Sequence, residues 1–175
     1  MADSQKRPWL ATLAYGLAAL VIVLDQLAKH WITVTMHMEP GSSITVTPFL
    51  NFTLVLNRGV SFGLFRSPEG TEIIRWALAL FSAVVAIALA IWVRGARRIV
   101  PAVGIGLIIG GALGNLGDRI RLGRVVDFID VSTALPWFPW VMNIADICVN
   151  VGVALLLLDT FLVRDKSGAA AKSPI

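Results

Sequence analysis

The sequence predicts an all-α integral membrane protein with four transmembrane helices and a small extracytoplasmic β-sheet segment between helices 1 and 2. Three observations carry this. Of 175 residues, 57% are hydrophobic and the mean hydropathy is +0.78, too apolar for an ordinary soluble domain. Four apolar runs are long enough to cross a bilayer at ~1.5 Å per helical residue. Residues 1–9, 94–98 and 164–175 hold eight of the fifteen Lys and Arg. Four spans place all three segments on one side, which the positive-inside rule makes cytoplasmic.

The elements follow in order. Residues 1–9 form a polar cytoplasmic N-terminus with Lys6 and Arg7. The run from Leu10 to Leu24 could be a secretory leader, but no small-x-small cleavage site closes it. DQLAKHWI continues the helical register, so the first span is read as retained, about residues 10–32. Residues 33–72 are rich in β-branched and aromatic residues, alternate in part at Ile44, Val46, Phe52, Leu54 and Leu56, and are broken by Pro40, Gly41, Pro48, Gly59 and Gly63. They read as short strands at the membrane surface. The second span is residues 73–93. The third, residues 99–116, has Gly106, Gly110 and Gly114 at four-residue spacing, which lets helix backbones approach closely. Residues 117–140 read as an extracytoplasmic loop ending in PWFPW, and residues 141–163 as the fourth span. Residues 164–175, small and polar, read as a disordered cytoplasmic tail. Trp31, Trp137 and Trp140 suit a membrane interface. One domain, residues 10–163, accounts for the chain.

The net charge of +4 suggests no nucleic-acid partner, because no water-soluble domain is visible to display a basic surface. Cys148 lies in an apolar run and reads as a small buried side chain. The arginines of the 117–140 loop oppose the positive-inside pattern, so they read as structural or functional rather than topological.

The unusual polar residues converge on one depth. Asp25 lies near the outer end of the first span. Asn115 and Arg119 stand at i, i+4 near the end of the third. Asn143, Asp146 and Asn150 stand at i, i+3, i+7 on one face of the fourth, and Asn57 and Asp127 lie in the outer segments. Carboxylates at membrane depth need a task or a partner. No HExxH is present, and the two histidines, His30 and His37, lack a cysteine partner, so no metal site is expected. A Ser/Lys hydrolase would need a serine near Lys29; Ser61 is a remote candidate, and Lys29 pairs more simply with Asp25. There remain Asp127 and Asp146. Two carboxylates in a low-dielectric site share a proton, so one can take a proton from water while the other polarises a carbonyl. The bland alternatives are an Asp127 paired with Arg124 or Arg119, and an Asp146 bonded to Asn143 or Asn150. A non-enzymatic transporter or channel subunit is the rival function. Such a path should place polar groups at several depths, and only Asp159 departs from the one-sided pattern. A GxGD-type intramembrane protease is a near miss, since the sequence at Asp118 is NLGD.

At these residues the chain resembles the lipoprotein signal peptidases, the bacterial type II signal peptidases. DQLAK (Asp25–Lys29), NRGVSF (Asn57–Phe62), GGALGNLGDR (Gly110–Arg119), VVDF (Val125–Phe128) and NIAD (Asn143–Asp146) match the family's boxes in order, over almost the whole chain. Met142 stands where a phenylalanine is common. The resemblance implies Asp127 and Asp146 as the catalytic dyad. It implies Asp25, Lys29, Asn57, Gly59, Asn115, Arg119 and Asn143 as residues that shape the site and hold substrate. The implied substrate is a prolipoprotein carrying diacylglycerol on its lipobox cysteine, cut just before that cysteine, with no cofactor. A monomer in the bacterial cytoplasmic membrane is expected, surrounded by membrane lipid, with both termini cytoplasmic and the active site near the outer leaflet.

Overall fold

Four helices are long and apolar enough to cross a membrane: Pro8–Thr35, Glu72–Gly95, Ile99–Leu122 and Ile144–Leu162. The computed structural model describes residues 7–59 and 68–170. The expectations for residues 1–6, for residues 60–62 of NRGVSF including Ser61, and for residues 171–175 fall outside them. In chain order come α1 (Pro8–His30), a π-helical turn (Trp31–Thr35), β1 (Ser43–Thr47), β2 (Leu50–Asn57), α2 (Pro68–Trp92), a 3-10 turn (Val93–Gly95), α3 (Ile99–Leu122), β3 (Val125–Asp130) and α4 (Ile144–Ala170). Pro8 opens α1, where its missing N–H costs nothing.

The glycines make α3 the central helix, packed on α1, α2 and α4. A Cβ added at Gly106 would lie 2.7 Å from the Ala14 carbonyl oxygen, and one at Gly104 would lie 2.9 Å from the Gly152 carbonyl oxygen. Backbone therefore touches backbone on both sides. Lipid is as apolar as leucine, so such close packing, rather than apolar burial, holds membrane helices together. Leu10, Ala14, Ala18, Ala86, Val93, Ala102, Ile105 and Ile109 form the buried core among α1, α2 and α3.

A second cluster of Ile32, Met38, Leu54, Val126 and Phe128 seats a three-stranded antiparallel sheet, order β1-β2-β3, on the end of α1. The sheet is not confined to the segment between the first two helices. Its third strand comes from residues read as the loop 117–140. Val125, Val126, Asp127 and Phe128 are all buried, so β3 lacks the alternation that marks a half-exposed strand. One edge of β3 pairs with β2, and on the other Met142 forms a bridge to Ile129.

Two boundaries also move. α3 continues six residues past its predicted end, to Leu122. Gly117 does not stop it, because Asp118 and the following basic residues make that last turn part of the packed structure. The stop is Gly123, left-handed at φ 71°, whose N–H caps the Arg119 carbonyl at 3.2 Å. α4 starts at Ile144 rather than Val141, because Met142 is held by β3, and it runs through Ala170. Residues 164–170, read as disordered tail, are helical, consistent with helix formers such as Lys166, Ala169 and Ala170.

Candidate active site

Asp146 is positioned by the start of α4. Asn143 is the N-cap residue: its Oδ1 accepts the Asp146 N–H at 2.8 Å, and Asp146 Oδ2 accepts the Asn143 N–H at 3.2 Å. This reciprocal pair is a capping box with Asn and Asp in place of Ser and Glu. It satisfies two backbone donors and places the Asp146 carboxylate at the positive end of the helix. The next orphan donor, the Ala145 N–H, is taken by Asp25 Oδ1 at 3.0 Å. The other Asp146 oxygen, Oδ1, accepts from Asn115 Nδ2 at 2.8 Å.

Asp127 is positioned by β3, not by a loop. It is 1% exposed. Its register places it opposite Val55, two residues from Asn57 on β2, and Asn57 Nδ2 reaches Asp127 Oδ2 at 3.0 Å. Gly59, at φ 80°, closes a turn in which its N–H donates to Asn57 Oδ1 at 2.7 Å, so the Asn57 amide is oriented with its NH2 toward the aspartate. Asp127 Oδ1 accepts from Asn143 Nδ2 at 2.6 Å. Asn143 thus touches both aspartates, one through its side chain and one through its backbone.

Behind the pair lies a buried ionic cluster. The Lys29 ammonium sits 2.7 Å from Asp25 Oδ2 and 2.8 Å from Asp118 Oδ2, and donates to Asn115 Oδ1 at 3.0 Å. All three protons are used. Because Lys29 and Asn143 Nδ2, at 3.1 Å, both occupy the Asn115 oxygen, the amide's NH2 is left to face Asp146. Asp118 Oδ2 also accepts the Val126 N–H at 3.2 Å, which anchors β3 one residue before Asp127. Gln26 donates to Asp118 Oδ1 at 2.9 Å and accepts from Arg121. Sequence reading missed Asp118 and Gln26. Both signals were available: Asp118 follows Asn115 at i, i+3 in an apolar helix, and Gln26 adjoins Asp25.

Asp127, Asp146, Asn57, Asn115, Arg119 and Asn150 line the polar end of a cleft of about 460 Å³. Apart from Ser82, its other walls are apolar: Leu78, Phe81 and Val85 of α2, Ile108 and Ala112 of α3, and Val149 of α4, with Phe138 and Trp140 also in the lining. Phe138 meets Trp140 edge-on at 5.2 Å. The alternative pairing of Asp127 with an arginine does not occur: among the described residues no ion pair joins Arg119 or Arg124 to it. Arg119 Nη1 donates instead to the Asn115 carbonyl at 3.4 Å. Nor is Lys29 paired with Asp25 alone. Cys148 is half-buried and free.

Burial pushes the Asp127 carboxyl up to about 6, helped by the negative charge of Asp146 and opposed by hydrogen bonds from Asn57 and Asn143 and by Lys29. A carboxyl with its proton equilibrium near neutrality, beside a second carboxylate, can act as acid or base.

Comparisons with known proteins show the family. The family model described as signal peptidase (SPase) II matches residues 17–162. The lipoprotein signal peptidase of Caulobacter vibrioides is 54% identical over 154 residues, 87% of this chain and 89% of that protein. That of Sphingopyxis alaskensis is 38% identical over 98% of both chains. A bacterial membrane enzyme solved at 2.3 Å superposes with a TM-score of 0.75 at 30% identity, covering 94% of this chain and 95% of that one. Sequence and fold coincide over nearly the full length, and on that ground the chain belongs to the signal peptidase II family, the lipoprotein signal peptidases.

Proposed function

We propose that this peptidase is an aspartic endopeptidase. It removes signal peptides from diacylglyceryl-modified prolipoproteins, cutting just before the lipidated cysteine. The observation that carries the reading is the placement of Asp127 and Asp146, both bonded to Asn143, at the polar end of an apolar-walled cleft. The cleft opens where α3 ends and α4 begins, at the boundary depth of the bundle. A diacylglyceryl cysteine would present its scissile bond at that depth, with acyl chains left in lipid and the signal helix along the apolar wall.

In the reaction one carboxylate takes a proton from water, and the water oxygen bonds to the scissile carbonyl carbon. The other carboxyl gives its proton to the carbonyl oxygen, forming a neutral gem-diol. The C–N bond then breaks. The amine leaves with a proton from the first carboxyl, and a diol proton returns to the second. Asn57, Asn115 and Asn143 orient the carboxylates by donating to each oxygen once, which leaves lone pairs free for the proton from water. Arg119, beside the pair without bonding to it, is placed to meet the carbonyl or ester oxygens of the substrate. The Phe138–Trp140 pair covers the mouth.

The basic segments support an orientation with both termini cytoplasmic and the cleft and sheet near the outer leaflet of the bacterial cytoplasmic membrane. The test is to incubate purified protein with a lipidated and an unlipidated precursor. Cleavage of the lipidated form alone, lost in either Asp127→Asn or Asp146→Asn, supports the proposal; equal cleavage of both forms, or an active Asp127→Asn, refutes it.

A further inference from the structure

Two of the arginines that oppose the positive-inside pattern, Arg121 and Arg124, meet two others in one place. Arg58 after β2, Arg75 of α2, Arg121 near the end of α3 and Arg124 after it line a pocket of about 410 Å³, floored by the Leu122–Gly123 turn. One carboxylate, Glu72, shares the lining, and it is bound to Arg75 Nη1 at 2.9 Å. Arg121 is also paired, 3.6 Å from Asp118 Oδ1 and donating to Gln26, so among the described residues the local excess of positive charge rests on Arg58 and Arg124. It lies at the depth where two candidate spans meet the membrane boundary, Glu72 opening one and Leu122 closing the other.

The arrangement is built rather than incidental. Arg75 is held by the end of α3: its Nε donates to the Arg119 carbonyl at 2.7 Å and its Nη2 to the Ile120 carbonyl at 3.1 Å. Its guanidinium lies 4.8 Å from the Trp76 ring centroid. Gly123 at φ 71° turns the chain tightly enough to bring Arg121 and Arg124 to one opening, and a Cβ there would sit 3.5 Å from the Arg75 guanidinium carbon. Exposed Leu122 supplies an apolar flank. Like charges gathered this closely repel unless an anion joins them, and guanidiniums suit phosphate oxygens through paired N–H donors.

We propose that this pocket binds a phosphate-bearing anion, whose source at that depth is the headgroup of an anionic phospholipid, with free phosphate as the alternative source. The occupant is distinct from the substrate, whose diacylglyceryl group carries no phosphate. It would neutralise the arginines on the side of the membrane where they are disfavoured and fix the depth of the α2 and α3 ends beside the cleft.

The test uses detergent-purified full-length protein. Calorimetric titration compares short-chain phosphatidylglycerol, diacylglycerol of the same chain length and inorganic phosphate, each at low and high salt. Phosphatidylglycerol should bind about tenfold or more tightly than diacylglycerol, and added salt should weaken it. Phosphatidylglycerol binding tighter than inorganic phosphate assigns the headgroup as the source; equal binding assigns free phosphate. The Arg58→Gln/Arg124→Gln variant should lose about tenfold in affinity with an unchanged melting temperature, and Arg58→Lys/Arg124→Lys, which keeps the charge, should lose less. Equal affinity of the unaltered protein for phosphatidylglycerol and diacylglycerol, with no phosphate binding, overturns the proposal whether or not the variants fold.

Discussion

Asp25 accepts a hydrogen bond from the Ala145 backbone N–H at 3.0 Å, across 120 positions of chain. One carboxylate of α1 thereby caps the helix that carries Asp146, while its other oxygen holds Lys29. The two roles separate by substitution. Asp25→Asn keeps an oxygen for the Ala145 N–H and loses the charge. Asp25→Ala loses both, and should cost about 3 kcal/mol, with Asp25→Asn clearly milder. Unfolding of the purified variants in detergent reads this, and equal destabilisation would show that the cap contributes nothing.

Either aspartate of the pair should be indispensable. Asp127→Asn keeps the side-chain shape but turns an NH2 toward one of the two donors, Asn57 or Asn143, and cannot exchange a proton in the working range; Asp146→Asn does the same between Asn115 and the Asn143 N–H. Each should lower turnover of a lipidated precursor on the order of 10³-fold or more. The double variant should be no worse than either single one, because the two act as a unit. Single-turnover cleavage of a labelled lipidated precursor measures this. Roughly multiplicative losses would mean that the carboxyls work independently.

Much of this site was legible because lipid makes polar residues expensive. Asp25, Asn57, Asn115, Arg119, Asp127, Asn143 and Asp146 stood out against apolar runs, and helical spacing put several on one face. The four helices were legible for the same reason. What failed was local geometry set by tertiary contact. β3 was read as loop because all of its first four residues are buried, which erases the period-2 signal. The end of α3 was misplaced because Gly117 resembles a stop, whereas Lys29 and Gln26, from another helix, hold Asp118 inside the fold. The capping box at Asn143 was readable as N-x-x-D before an apolar run, and would have moved the start of α4 to its observed place.

The raised Asp127 carboxyl gives two linked pH dependences. Folding lifts its proton equilibrium from the ordinary 3.8 to about 6. Between those values the native protein binds more protons than the unfolded chain, so stability falls as pH rises through the window, on the order of 3 kcal/mol in all. Asp127→Asn removes this dependence, and its stability advantage over the unaltered protein should grow from pH 4 to pH 7. Cleavage should decline above about pH 6 as the shared proton leaves the pair. Melting temperatures and cleavage rates across pH 4–8 test both limbs. A stability difference that stays flat across that range would contradict the raised equilibrium.

Lys29 should be less replaceable than either of its carboxylate partners. It is 4% exposed and supplies the one ammonium between Asp25 and Asp118, which are 0% and 1% exposed. Lys29→Met fits the volume but leaves two buried carboxylates without their shared cation, a loss of about 3–5 kcal/mol. It also removes one of two donors to the Asn115 oxygen, leaving Asn143 Nδ2 at 3.1 Å to orient the amide. Replacing the whole cluster with neutral groups, Asp25→Asn/Lys29→Met/Asp118→Asn, should recover most of the stability, because the cost lies in the unpaired charge rather than in the missing attraction. Cleavage should recover only in part, since Asn143 alone then fixes the Asn115 amide toward Asp146. Thermal unfolding and precursor cleavage on the same two preparations separate these effects. A triple variant as unstable as Lys29→Met would show that the ammonium contributes more than charge balance, and a triple variant with full activity would show that Asn143 alone suffices to orient Asn115.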